Sequence, residues 1–403
     1  MKPERVREGA TIFSYGLLVM TITHTVTHVF QRMPSALFPT LMRPDEFNLT
    51  LQQVGIIAAI PPLCSALLSI PMGMFSDKYG SRRMVFISMA VSALGSLIAS
   101  QAPNPIVFIL AISLLSVNTT IYHPAAYSFT TKLVGSKDRP RALGIHGAGG
   151  TLGMSIGPIS LSFLRGLLAF QWRQVYLFWL IPPLLGTLAV LRIKAEPGDD
   201  YQEEQAQEDS VKNVGPSKLL TMSLLMFLVF VGIRTSGRTM IGSFLPIYMV
   251  NVKGLSDSLS NLIFGSNTLM GLVAAPLGGA IASRYDEKRL LLAVLSLSYI
   301  SLALAFITPN TTIFAAFYLL SGFFNFLGMA ATSSIVARLS PTGQRGLGYA
   351  LFFLPGSIMG AVAPVVAAYI GGTFGLASIF YASVTVYLIG VVVLLFGVKI
   401  RDS

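Results

Sequence analysis

Three arginines sit where so apolar a chain should carry none: Arg32 in the first long apolar run, Arg234 and Arg238 in the seventh. A guanidinium stays charged at any physiological pH, and its planar fork of donors fits a carboxylate or phosphate by two bonds at once. Charge at membrane depth is costly, so it marks function by default. Arg234 and Arg238 stand one helical turn apart and share a face. No acid is placed to neutralise them, because all 17 aspartates and glutamates fall in loops, tails or the ends of apolar runs. Water, backbone carbonyls, polar side chains or a bound anion must compensate. The chemistry to expect is an arginine clamp on an anion. The opposing reading is that one or more of these side chains snorkels outward or bonds carbonyls.

All four histidines also fall in apolar runs. His24 and His28 are one turn apart in the first run, on the stripe that continues to Arg32, with Gln31 beside it. His123 lies in Tyr122-His123-Pro124-Ala125-Ala126 in the fourth run, and His146 opens the fifth. Imidazole can donate to an anion when charged and can carry a proton near neutral pH. The His24 and His28 spacing also suits a metal, but the nearby arginines and missing carboxylates weigh against a cation, so no metal or other cofactor is expected. Asn118 and Tyr122 in the fourth run and Asn325 in the tenth complete a binding set of Arg32, Arg234, Arg238, His24, His28, Gln31, Tyr122, His123, Asn118 and Asn325. Buried histidines satisfied by packing are the competing reading. No carboxylate pair, metal set or nucleophile with a base occurs at membrane depth, so an enzyme is not expected.

The elements that carry these residues are membrane helices. Of the 403 residues 53% are hydrophobic and 11% charged, against about 25% charged in soluble proteins. A span needs about 20 mostly apolar residues. On that criterion there are twelve, over 10–41, 53–75, 84–102, 105–131, 142–164, 174–193, 219–249, 259–282, 290–308, 311–337, 346–370 and 375–398. The acidic stretch 194–218, with Pro197, Gly198, Gly215 and Pro216, reads as a solvated linker. It divides the chain into 1–193 and 219–403, an all-α polytopic membrane protein of two six-helix, pseudo-symmetric halves. The single cysteine, Cys64, excludes an internal disulfide, and no cleavable signal peptide is evident.

The halves echo each other. Gly73-Met74-Phe75-Ser76-Asp77-Lys78-Tyr79-Gly80-Ser81-Arg82-Arg83 reads as a short polar loop between the second and third spans, and its counterpart is Gly279 to Arg289. Leu114-Leu115-Ser116 returns as Leu319-Leu320-Ser321, and Arg141-Ala142-Leu143-Gly144 as Arg345-Gly346-Leu347-Gly348. In this register Thr27 corresponds to Arg234 and Gln31 to Arg238. The first loop resembles the signature between helices 2 and 3 of the major facilitator superfamily. That resemblance implies alternating access about a midplane site lined by the first and seventh spans. It implies a latch made by Gly73, Asp77, Lys78, Gly80, Arg82 and Arg83. His24, Tyr122-His123-Pro124-Ala125 and Arg141-Ala142-Leu143-Gly144 look like the fosmidomycin-resistance branch, whose named substrate is a phosphonate. That branch has an acid shortly after the histidine of its first helix, where this chain has His28. Gly153 to Pro158 is similar to an antiporter motif of the fifth helix and suits close packing.

Most of the 28 lysines and arginines flank the spans on the side of both termini. The positive-inside rule therefore puts both termini in the cytoplasm of a multi-pass protein of the inner cell membrane. The same asymmetry explains most of the net charge of +11 and removes nucleic acid as a partner. The reading is a monomeric secondary transporter of a small organic anion, whether carboxylate, phosphonate, phosphate ester or sulfonate. Protons or a counter-anion would couple to it. The alternative is a proton-coupled multidrug or antibiotic efflux pump.

Overall fold

In a computed structural model, residues 14–135, 138–193, 221–340 and 345–400 are described, except for the side chains of Ile70, Asp77, residues 345–350 and Phe353. The expected linker over 194–218 lies outside them. All described regular structure is helical: α1 (Tyr15–Leu41), α2 (Leu51–Tyr79), α3 (Ser81–Ser100), α4 (Pro105–Lys132), α5 (Arg139–Gly166), α6 (Trp172–Phe178), α7 (Ile181–Leu191), α8 (Met222–Asn251), α9 (Asp257–Leu269), α10 (Gly271–Ala282), α11 (Glu287–Ile307), α12 (Thr311–Leu327), α13 (Met329–Leu339), α14 (Arg345–Phe374) and α15 (Leu376–Val392), which runs into a π-helical turn, Val393–Gly397. Several starts follow from a polar residue ahead of an apolar run. Ser14, Thr50, Asn104, Thr221, Ser256 and Asn310 each accept a hydrogen bond from a first-turn N–H.

Ten stretches among the described residues are long and apolar enough to cross a membrane. Three of these combine two helices: α6 with α7, α9 with α10 and α12 with α13. At 27 and 28 residues α1 and α5 are also long enough. They fall short on apolarity because α1 carries threonines, histidines and Arg32, and α5 carries glycines and basic residues. The outer surface bears large apolar side chains such as Leu67, Ile106, Tyr369 and Phe396, which suits lipid and not water. The chain is a multi-pass membrane protein.

The helices before residue 194 pack on one another, as do those after 220, and the groups meet along α2 with α14, α5 with α9, and α1 with α8. The tightest packing joins α1 to α5. A Cβ on Gly149, Gly153 or Gly157 would lie 2.6, 2.1 or 2.1 Å from the carbonyl oxygen of Thr21, Thr25 or Val29. The spacing of four is common to both helices, so one stripe of small residues lets the two backbones touch.

The junction expected as a polar loop is shorter than the sequence suggests. α2 continues to Tyr79 and α3 begins at Ser81, leaving Gly80 alone between them at φ +82° and ψ 145°. Only glycine holds that conformation without strain, so one residue suffices to turn the chain. In the second group Asp286 begins α11 by accepting from the Arg289 N–H at 2.7 Å.

Candidate substrate cavity

The α1–α5 stripe sets the histidines. Gly150 faces the His24 ring, where a Cβ would lie 2.7 Å from Cε1 and 3.0 Å from Nε2. His146 does not open its helix as expected, because α5 begins at Arg139. It lies two turns inside, fully buried, and stacks on His24 with ring centroids 4.1 Å apart and planes 8° from parallel. α4 brings in His123, so all four histidines form one cluster. Nε2 of His28 stands 3.1 Å from Nε2 of His24 and 3.2 Å from Nε2 of His123. The far ring nitrogens are held by oxygens. Nδ1 of His24 donates to the His146 carbonyl at 2.6 Å, Nδ1 of His123 to the Thr119 carbonyl at 2.6 Å, and Nδ1 of His28 to Oε1 of Gln31 at 2.7 Å.

Two members of the expected set are fully buried in this conformation. Tyr122 is fully buried; its hydroxyl donates to the Met20 carbonyl at 2.8 Å and touches Thr23 Oγ1 at 2.9 Å. Asn118 is also fully buried, and its amide atoms have no hydrogen-bond partner. Tyr122 points from α4 into the α1 contact.

The arginines converge from two groups of helices. Arg32 reaches from α1 to α9, donating to the Phe264 carbonyl at 3.3 Å and to Thr268 Oγ1, with its guanidinium 3.7 Å from the centre of the Phe264 ring. Arg234 on α8 donates to Asn325 Oδ1 at 3.1 Å and Thr332 Oγ1 at 3.4 Å. These partners flank Gly328, the one residue between α12 and α13. Thr268 likewise lies just before Met270, which separates α9 from α10. Arg238 is accessible, yet it faces inward, within electrostatic range of Arg234, Arg32, Tyr387 and Tyr318. Arg32 and Arg234 donate to neutral oxygens, those of Phe264, Thr268, Asn325 and Thr332. Three like charges so close raise one another's energy, and these contacts orient the forks without neutralising them. The sequence reading missed Phe264, Thr268, Tyr318, Thr332 and Tyr387; only the repeat register could have pointed to α9 and α12, the counterparts of α2 and α4.

A second charged cluster ties the groups together at the α1–α2 end. Asp257, at the first turn of α9, receives both carboxylate bonds from Arg43 Nη2 at 2.9 Å and one from Arg165 Nη1 at 3.3 Å. Thr40 Oγ1 donates to Asp257 Oδ2 at 3.0 Å and accepts from Arg165 at 2.7 Å. A cleft of about 370 Å³ lies over this cluster, lined also by Phe170 and Leu255. Nothing in the local sequence pattern brings Arg43, Arg165 and Asp257 together.

At the opposite end lies the expected latch. Gly73 is half-buried in α2 with open space where a Cβ would stand. Lys78 and Arg83 are exposed, and Lys78 Nζ sits 5.5 Å from the Tyr79 ring centre. Arg82 donates to the Val190 carbonyl at 3.3 Å and to that of Leu191, capping the C-terminus of α7. Asp77 lies in the last turn of α2, and its side chain lies outside the described residues.

The frame that holds these sites has known relatives. A family described as Major Facilitator Superfamily matches residues 20–237 and 231–403. The fosmidomycin resistance protein of Escherichia coli is 21% identical over 281 residues, 68% of this chain and 67% of its own. The probable nitrate transporter NarT of Staphylococcus haemolyticus is 22% identical over 368 residues, 90% of each chain. Among solved structures, a bacterial homologue of the human lysosomal transporter Spinster, in an inward-facing and occupied conformation, superposes with a TM-score of 0.79 at 16% identity, covering 95% of this chain and 96% of its own.

Proposed function

The chain belongs to the Major Facilitator Superfamily, and on that premise we propose that it is a secondary transporter of a small organic anion. One observation carries the reading. Arg32, Arg234 and Arg238 face one another from α1 and α8, and the hydrogen-bond partners of Arg32 and Arg234 are neutral. A carboxylate, phosphonate, phosphate ester or sulfonate entering between them would relieve their repulsion and engage the forks from both groups of helices. The names of the fosmidomycin and nitrate relatives favour an anionic substrate.

The proposal takes α1 and α5 as spans too, for twelve in two halves of six joined by the linker at 194–218. The lysine and arginine bias puts both termini and Gly80 in the cytoplasm, and hence Asp257 with Arg43 and Arg165 at the outer face. That cluster joins the halves and acts as the outer gate. The conformation is then closed outward, in keeping with the inward-facing relative. Protons or a counter-anion complete the cycle.

Thermal stabilisation of the purified protein against a panel of anions and lipophilic cations tests this, since a ligand that binds only the folded state raises its stability. One anion class should stabilise the wild type and not Arg234→Gln, with both proteins monodisperse. Retained anion affinity in Arg234→Gln would sink the clamp. Stabilisation by lipophilic cations alone would favour drug efflux.

A further inference from the structure

We propose that His24, His28 and His123 form a binding site for one divalent transition-metal ion of borderline softness, such as Zn²⁺. Sequence spacing gave only the His24 and His28 pair, and the nearby arginine argued against a cation. The structure changes both terms. α4 supplies a third imidazole, and Arg32 turns its guanidinium away to Phe264 and Thr268 on α9.

The protonation pattern carries the argument. Backbone carbonyls can only accept, so Nδ1 of His24 and of His123 must each carry the hydrogen. Gln31 Oε1 does the same for His28. In the neutral rings all three Nε2 atoms are then lone pairs, and these are the atoms that converge, all within 4.8 Å of one another. Lone pairs 3.1 and 3.2 Å apart repel unless something positive lies between them. A single proton on His28 Nε2 can point at His24 or at His123, and leaves the other contact unrelieved. A metal ion relieves both at once. With Zn–N bonds of about 2.0–2.1 Å, tetrahedral ligand atoms lie about 3.4 Å apart, close to the His28–His24 and His28–His123 separations.

The surroundings also fit a metal. A ligating histidine almost always donates its other N–H to an oxygen, which fixes the tautomer and raises ligand basicity. Here all three do. Soft thiolates are absent from the cluster and hard carboxylates are too, so imidazole-preferring ions are favoured over Ca²⁺ or Mg²⁺. Three protein ligands leave a fourth position open. His123 is the partly buried member of the trio, so an ion would enter past it, and a water or a ligand oxygen would complete its shell.

Co²⁺ alone is the probe. Tag-free wild-type protein in detergent, stripped with a chelator, should take up one equivalent of Co²⁺ with the intense visible bands of a tetrahedral site, and one equivalent of Zn²⁺ should abolish them. His28→Ala and His123→Ala should lose the bands. Gln31→Ala leaves every ligand in place and should weaken Co²⁺ binding about 10- to 100-fold, so it keeps the test decisive if a histidine variant fails to fold. Arg234→Gln should bind Co²⁺ normally, which separates this site from the anion clamp. Absent bands in the wild type, or bands unchanged in His123→Ala and Gln31→Ala, would overturn the assignment.

Discussion

Asp257 Oδ2 lies 3.3 Å from Arg165 Nη1, with each side chain less than a fifth exposed. The pair links the last turn of α5 to the first turn of α9, and Arg43 completes it from the loop after α1. Asp257→Asn keeps the shape and removes the charge, leaving Arg165 largely buried without its counter-ion. Charged hydrogen bonds of this kind contribute about 1.5–3 kcal/mol each. The expected outcome is a shift of at least tenfold toward a state open at this end. Spin-label distances across the α1–α2 and α8–α9 loops would read it, and an unchanged distance distribution would count against the proposed gating role of Asp257.

Gly153→Ala should be harmful although alanine favours helices. Its Cβ would meet the Thr25 carbonyl at 2.1 Å, and backbone cannot step aside as a flexible side chain can. A loss of about 1–3 kcal/mol is expected from such overpacking. Gly147 is the control: the same helix offers nothing within 4 Å of its Cβ, so Gly147→Ala should be neutral or stabilising by up to about 1 kcal/mol. Thermal unfolding of both variants in one detergent settles the comparison.

Gly80→Ala should cost about 1–3 kcal/mol, because a Cβ is forced into a backbone region that glycine alone occupies freely. Arg82→Ala should cost less, about 1 kcal/mol, through the uncapped carbonyls of α7. If Gly80→Ala melts at the wild-type temperature, the tight α2–α3 turn is not needed for stability.

Asn325→Ala removes the amide that orients Arg234 from α12. The charge stays, so on the proposed function anion affinity should fall by about tenfold, as for one lost charge-assisted hydrogen bond, and not vanish, whereas Arg234→Gln should abolish it. Equal losses in the two variants would mean that Asn325 touches the anion itself.

Much of this was legible in the sequence. Apolar runs and the Ser14, Thr50 and Asn104 starts announce the helices, and Arg32, Arg234 and Arg238 announce themselves by their cost. Local pattern could not show that the α2–α3 junction is a single glycine, because the polar residues before Gly80 are as helix-compatible as they are loop-like. It could not place His146 against His24, since that depends on the four-residue register shared by Gly153 and Thr25 on different helices. Asp257 was hidden for another reason. A carboxylate at the first turn of a helix is an ordinary start signal, and only the folded chain brings it to Arg43 and Arg165, which lie far away in sequence.

The glycine stripe has a mechanical consequence. With backbones in contact at Gly149, Gly153 and Gly157, α1 and α5 have no slack between them and behave as one beam. That beam bears Arg32 near its middle and Arg165 at one end. On the proposed function, a ligand pulling on Arg32 would therefore also load the Arg165–Asp257 contact. Occupancy and the strength of the proposed gate would then be coupled by leverage through one rigid helix pair.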